Sequence, residues 1–138
     1  MSLASQPGIR LRRLLLISIA LLVARGSYAD KEPFTEARFA SLQAEGALIL
    51  VDIHADWCPT CARQQKVLDA YEASRPDLSL HRLVVDFDDD KQWVKHFAAP
   101  RQSTLILFRG TEKRWFSVAE TNEERIFAAL DAAAGHTP

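Results

Sequence analysis

The chain has 138 residues, 48% of them hydrophobic and 25% charged, with 17 Lys and Arg against 18 Asp and Glu for a formal net charge of -1. No cluster of basic residues is available to release counterions from phosphates, which argues against nucleic acid as a partner. With only two cysteines, a secreted scaffold held by several disulfides is excluded as well, and the length suits one domain around one core.

Residues 1–29 carry Arg10, Arg12, Arg13 and Arg25 and no acid. Leu14 to Ala24 is almost wholly aliphatic, but eleven residues are too few to cross ~30 Å of hydrocarbon comfortably as a helix. Ser27-Tyr28-Ala29 then offers small residues to a signal peptidase. The stretch reads as a cleaved export signal with Asp30 as the first mature residue; an uncleaved amphipathic anchor is the alternative. Without it, 13 basic residues face 18 acids, and the net charge of residues 30–138 becomes -5.

The pattern then alternates between helix and strand. Thr35 to Ala44 predicts a helix, with Thr35 as cap, Glu36 in the first turn and Phe39 and Leu42 on one face. Ala47 to Ile53 is a nearly continuous aliphatic run, as expected of a strand buried on both faces. Pro59 suits the first turn of a helix running to about Ser74, where Pro76 stops it. Leu78 to Phe87 predicts a second strand, and Asp90 a cap for a short helix with Trp93, Val94 and Phe97. Thr104 to Phe108 and Arg114 to Val118 read as a hairpin turning through Gly110. Thr121 with Glu124 forms a capping box for a last helix, whose apolar stripe is Ile126, Phe127, Leu130 and Ala133. A βαβ unit, a hairpin and a closing helix predict an α/β fold: a mixed four-stranded sheet with helices on both faces.

Both cysteines fall in Trp57-Cys58-Pro59-Thr60-Cys61, directly after the first strand. At this spacing the sulfurs belong to one helical turn, so a disulfide can close and open without moving the rest of the fold. So small a loop removes little unfolded-state entropy, which argues against a purely structural bridge. Cys58 lies at the helix start, where the dipole and unpaired N–H groups favour a thiolate, and is the expected nucleophile. Cys61, one turn further in, is placed to attack the mixed disulfide that Cys58 forms.

The segment Leu50-Val51-Asp52-Ile53-His54-Ala55-Asp56-Trp57-Cys58-Pro59-Thr60-Cys61 resembles the active-site segment of the thioredoxin family, and the element order after it is similar across the whole of residues 30–138. The Pro-Thr dipeptide resembles that of periplasmic thioredoxin-like reductants. The Asp-x-x-Ala-Asp-Trp-Cys run is similar to the exported domain of a membrane thiol reductase. The resemblance implies a thioredoxin-like fold, a periplasmic thiol-disulfide oxidoreductase without cofactor, protein disulfides as substrates and a membrane thiol reductase as electron donor. Asp52 would then act as general base toward Cys61, its pKa raised by burial. The plainer role for Asp52 is pairing with Arg82, at the place of the family's partner lysine. Trp57, Pro59, Thr60, Ser103 and Thr104 would form the substrate face, with Trp57 as a core residue the competing reading.

Two positions depart from the family. Ser103 stands where a cis-proline is usual, and the cost of ~2.5–4 kcal/mol for a cis bond before a non-proline residue predicts a trans Gln102–Ser103 bond, with the hydroxyl of Ser103 facing the sulfurs. His54 replaces a frequent aromatic and reads as a partly buried, satisfied histidine or as a tuner of the thiolate. A metal site from Cys58, Cys61 and His54 falls short of the four ligands of structural zinc. Asp86, Asp88, Asp89 and Asp90 lack the spacing of a calcium loop and read as loop solvation and capping. Pro59-Thr60 adds no positive charge between the cysteines, which predicts a potential of roughly -180 to -270 mV and a reductant or isomerase rather than an oxidant. A thioredoxin-fold binding module with idle cysteines is the non-enzymatic alternative. One reactive face suits a monomer.

Overall fold

The aliphatic run around Asp52 becomes the central strand of a five-stranded sheet. The computed structural model describes residues 31–136; the expected export signal and its expected cleavage point before Asp30 lie outside the described residues. In chain order the elements are β1 (Lys31–Pro33), α1 (Glu36–Ala44), β2 (Leu48–His54), α2 (Pro59–Ser74), β3 (Leu80–Asp86), α3 (Lys91–His96), β4 (Thr104–Arg109), β5 (Glu112–Val118) and α4 (Glu123–Ala134). The strand order is β1-β3-β2-β4-β5, with β1, β3 and β2 parallel and β4 and β5 antiparallel to their neighbours.

The sheet therefore has five strands where the sequence predicts four. The additional strand, β1, is three residues long and pairs Lys31 with Arg82 in β3. It is too short to show a two-residue periodicity, and Pro33 ends it at a sheet edge, where a missing N–H is tolerated.

Alternation along the strands divides the core between two faces. Leu48 and Leu50 of β2 with Leu105 and Leu107 of β4 pack under α2 and α4, against Leu68, Tyr71, Ile126 and Leu130. Ile49, Val51 and Ile53 point the other way, with Leu83, Val85 and Ile106, against Leu42 and a group of aromatic rings. There Phe34 lies 5.5 Å from Phe39 and 4.8 Å from Trp93, while Phe39 lies 5.2 Å from Phe108, in tilted and edge-on pairs that aromatic quadrupoles favour. Each such side chain contributes about 1.5–3 kcal/mol through burial.

The helix ends explain two boundaries. The α4 cap is Asn122, whose side chain accepts from the Arg125 amide at 2.9 Å. The Thr121–Glu124 capping box does not form, because the Glu120 carboxylate takes the Thr121 and Asn122 amides at 3.0 and 2.9 Å. Asp90 precedes α3 without capping it through its side chain and instead accepts from the Asp86 amide at 3.0 Å. At the end of the sheet away from the cysteines, Gly110 takes φ of +56° and its N–H donates to the Ala47 carbonyl at 2.8 Å. A side chain there would meet Gly46 Cα at 3.2 Å and the Gln43 carbonyl at 3.3 Å, so the hairpin turn is seated on the α1–β2 turn.

Candidate active site

β2 delivers the chain to the active-site end at His54, and Ala55-Asp56-Trp57 turn it into α2. Cys58 is the residue before the helix, extended at φ -88° and ψ 110°, with Pro59 following at the first helical position. Its Sγ accepts the Cys61 amide at 3.1 Å, so the sulfur satisfies one of the free N–H groups of the helix start. The sulfur thus sits at the positive end of the α2 dipole. Both cysteines are free thiols, and with Ala55 and Phe87 they form a small apolar cluster.

The two sulfurs are not equivalent. Cys61 has no exposure at all, and burial pushes its thiol up to about 12. The hydrogen bond with Cys58 and the negative charge of Asp52 act in the same direction, against a backbone hydrogen bond with Ala55. Cys61 thus stays protonated until a base takes its proton.

Asp52 is fully buried one strand position short of Ile53. Burial raises its pKa; a hydrogen bond from Gln65 and the positive charges of His54, Arg82 and Lys31 oppose that rise. Gln65 Nε2 donates to Oδ2 at 2.6 Å, while Oδ1 is buried without a partner. The direct Asp52–Arg82 pair expected from the sequence does not form. Leu50 is the register partner of Arg82 and Val84 that of Asp52, so the two charged residues share a sheet face but sit two positions apart. Arg82, 1% exposed, is taken instead by Asp69 at 2.7 Å, Glu72 at 3.1 Å and the Gln65 side-chain oxygen.

Trp57 is 60% exposed, which rules out the core reading, and its indole N–H donates to Asp88 Oδ2 at 2.7 Å. Pro59 is exposed and Thr60 half-buried, its Oγ1 accepting from Arg63 at 3.2 Å. The Gln102–Ser103 bond is trans and Ser103 takes a positive φ of 59°. Its hydroxyl donates to the Gln102 carbonyl at 2.5 Å rather than facing the sulfurs, and Thr104 likewise turns inward, to the Arg101 carbonyl at 2.7 Å. Both side chains are buried, so this loop presents backbone rather than hydroxyls. His54 is 21% exposed, with Nε2 3.5 Å from Asp56 and Nδ1 buried without a partner, so it is not the satisfied histidine expected. In the acidic run, Asp86 Oδ1 accepts the Asp88 and Asp89 amides at 2.8 and 2.9 Å. Among the described residues no group of three or more His, Cys, Asp or Glu is arranged to hold a metal ion.

This geometry can be set beside known proteins. The family model described as Thioredoxin matches residues 30–132. The chain belongs to the thioredoxin family. It is similar to a thioredoxin of Chlamydia trachomatis, 33% identical over 75 residues that span 54% of this chain and 71% of the relative. It is also similar to the thiol:disulfide interchange protein DsbD of Klebsiella pneumoniae, 27% identical, with 95% of this chain matched to only 25% of that larger protein. Among solved structures, Trxlp from Edwardsiella tarda is 37% identical with a TM-score of 0.64, covering 73% of this chain and 98% of that one. A Halobacterium salinarum thioredoxin mutant, at 17% identity and a TM-score of 0.64, shares the fold.

Two residues of this thioredoxin-family site escape the sequence reading. Gln64 is fully buried and its Nε2 donates to the carbonyls of Ser103 at 3.1 Å and Glu120 at 2.9 Å, tying α2 to the two loops beside the cysteines. Gln65 links Asp52 to Arg82. Cys61, Gln64, Leu68 and Tyr71 follow one another at core spacing along α2, and an amide in that series is a readable sign of a buried polar contact.

Proposed function

We propose that this thioredoxin-family oxidoreductase works outside the cytoplasm, reducing or isomerising protein disulfides through Cys58 and Cys61. The Cys58 thiolate attacks a substrate disulfide, forms an S–S bond to one substrate sulfur and expels the other as a thiolate. Cys61 then gives its proton to Asp52 and attacks Cys58, which forms the Cys58–Cys61 disulfide and frees the second substrate sulfur. The substrate gains two electrons, the chain loses two, and a membrane dithiol donor restores them. What supports this reading above all is the asymmetry of the pair: both cysteines are buried, but Cys58 Sγ accepts a helix N–H at 3.1 Å, whereas the Cys61 thiol, close to the buried Asp52 carboxyl, is pushed up to about 12.

Export is supported by the acid-free, arginine-bearing residues 1–29. The donor is supported by the match to a quarter of DsbD, a thiol:disulfide interchange protein. Exposed Trp57, beside Cys58, supplies the apolar contact for the substrate, and the mature chain works as a monomer.

Trapping with Cys61→Ala tests the reaction. Mixed disulfides between Cys58 and substrate proteins should accumulate and disappear on adding dithiothreitol; a chain that captures nothing, and whose native form does not speed insulin reduction, is a binding module instead. Amino-terminal sequencing of the secreted protein should begin at Asp30, and an intact Met1 would replace cleavage by an anchor.

A further inference from the structure

Asp52 and Arg82 share a sheet face, yet a neutral amide stands between them. Gln65 Oε1 accepts from Arg82 Nη2 and from Lys31 Nζ, the latter at 3.0 Å. Cationic donors can bond only to the oxygen of an amide, so the nitrogen end must face Asp52, where it donates at 2.6 Å. The orientation that is ambiguous for most amides is decided here by charge. Two cations at the oxygen also polarise the group and make its N–H a stronger donor.

We propose that Gln65 is a positioning residue for proton transfer at Asp52: its amide fixes the carboxylate and passes on the positive influence of Arg82 and Lys31. The inference rests on the reading of Asp52 as proton acceptor for Cys61. A guanidinium bonded straight to Asp52 would hold it ionised at every working pH and make it a poor base. Burial with no compensation would keep it protonated. The amide gives an intermediate field, because Arg82 is itself divided between Gln65 on one side and Asp69 and Glu72 on the other. The groups facing Asp52 are His54 on its own strand, Lys31 on β1, Arg82 on β3 and Cys61 on α2, with Cys58 beyond it. On the β4 side its register partner is Leu105, which does not titrate.

The step can be isolated with a symmetrical aryl disulfide probe, which releases one coloured thiolate when Cys58 attacks and a second when Cys61 resolves. In Gln65→Leu, the second phase should slow about tenfold at pH 7 and its midpoint should rise by about one pH unit, with the first phase unchanged. Gln65→Met should repeat this, and Lys31→Met, which leaves the helix untouched, should move the midpoint the same way by less. In an Asp52→Asn background Gln65→Leu should change nothing further. A second phase slowed equally at all pH values, an unmoved midpoint, or an additive loss in the Asp52→Asn background would overturn the role. If Asp52→Asn itself leaves the second phase unchanged, the proton acceptor is misassigned and the inference falls with it. If Asp52→Asn slows that phase while Gln65→Leu does not move it, the inference about Gln65 alone falls.

Discussion

The two faces of the sheet are built from the same three central strands and yet have different contents. Under α1 and α3 the interior is mainly aliphatic and aromatic, with Phe39 packed against Phe34, Phe97 and Phe108. Under α2 the same strands begin with Leu48 and Leu50 and then place Asp52 and Arg82 in the interior, neither with a direct partner in the other. The first face carries stability, while the second gives some of it up to keep a titratable group beside the sulfurs.

That division can be broken most strongly from the apolar side. Phe39→Ala empties a site ringed by Phe34, Phe97 and Phe108 and should cost about 3–5 kcal/mol in denaturant unfolding. Alkylation of Cys58 should keep its wild-type rate; a large change in that rate would show that the faces are not separable.

A smaller effect of opposite sign is expected on the other face. Folding raises the pKa of Asp52, so the folded chain holds this proton more tightly than the unfolded chain. The stability gained by holding it is complete below the ordinary carboxyl value of 3.8 and is lost as pH rises through the raised folded value. At pH 7 the native protein therefore carries a cost that Asp52→Asn removes. This variant should unfold about 1–3 kcal/mol less readily at pH 7, with a flatter stability profile, while resolving mixed disulfides more slowly. A destabilised Asp52→Asn would mean that the carboxylate is better compensated than its unpartnered Oδ1 indicates.

The smallest effect concerns a helix end outside both faces. Asn122→Ala should cost about 1 kcal/mol, and Thr121→Ala no more than about 0.5 kcal/mol, measured by thermal unfolding. Equal costs would return the cap to Thr121.

The same contrast explains what could be read in advance. β2, α2 and the hairpin announce themselves through aliphatic runs, Pro59 and Gly110, because local patterning and turn chemistry decide them. The Cys58–Cys61 pair is legible for the same reason, since one helical turn sets its geometry. β1 is not, because three residues at an edge draw their pairing from β3 rather than from a pattern of their own. The environment of Asp52 is the least legible. Its hydrogen-bond donor lies 13 residues away and the cation behind that donor another 17, so only the assembled fold shows that a glutamine separates the charges. The direction of the Ser103 hydroxyl was not legible either, because a backbone carbonyl one residue away takes its hydrogen bond.

The seat of Gly110 on the α1–β2 turn has a practical bearing on anyone who wishes to modify this molecule. A tight surface hairpin is the usual choice for inserting a tag or a reporter loop, but here the turn is also a fastener: its N–H holds Ala47 and its bare Cα leaves room for Gly46. Extra residues there would loosen the first helix from the strand that leads to Cys58. Exposed Pro76 and Asp77, beyond the end of α2, are the better place for foreign sequence, provided Arg75 before them keeps its ion pair with Asp131 of α4 at 3.1 Å.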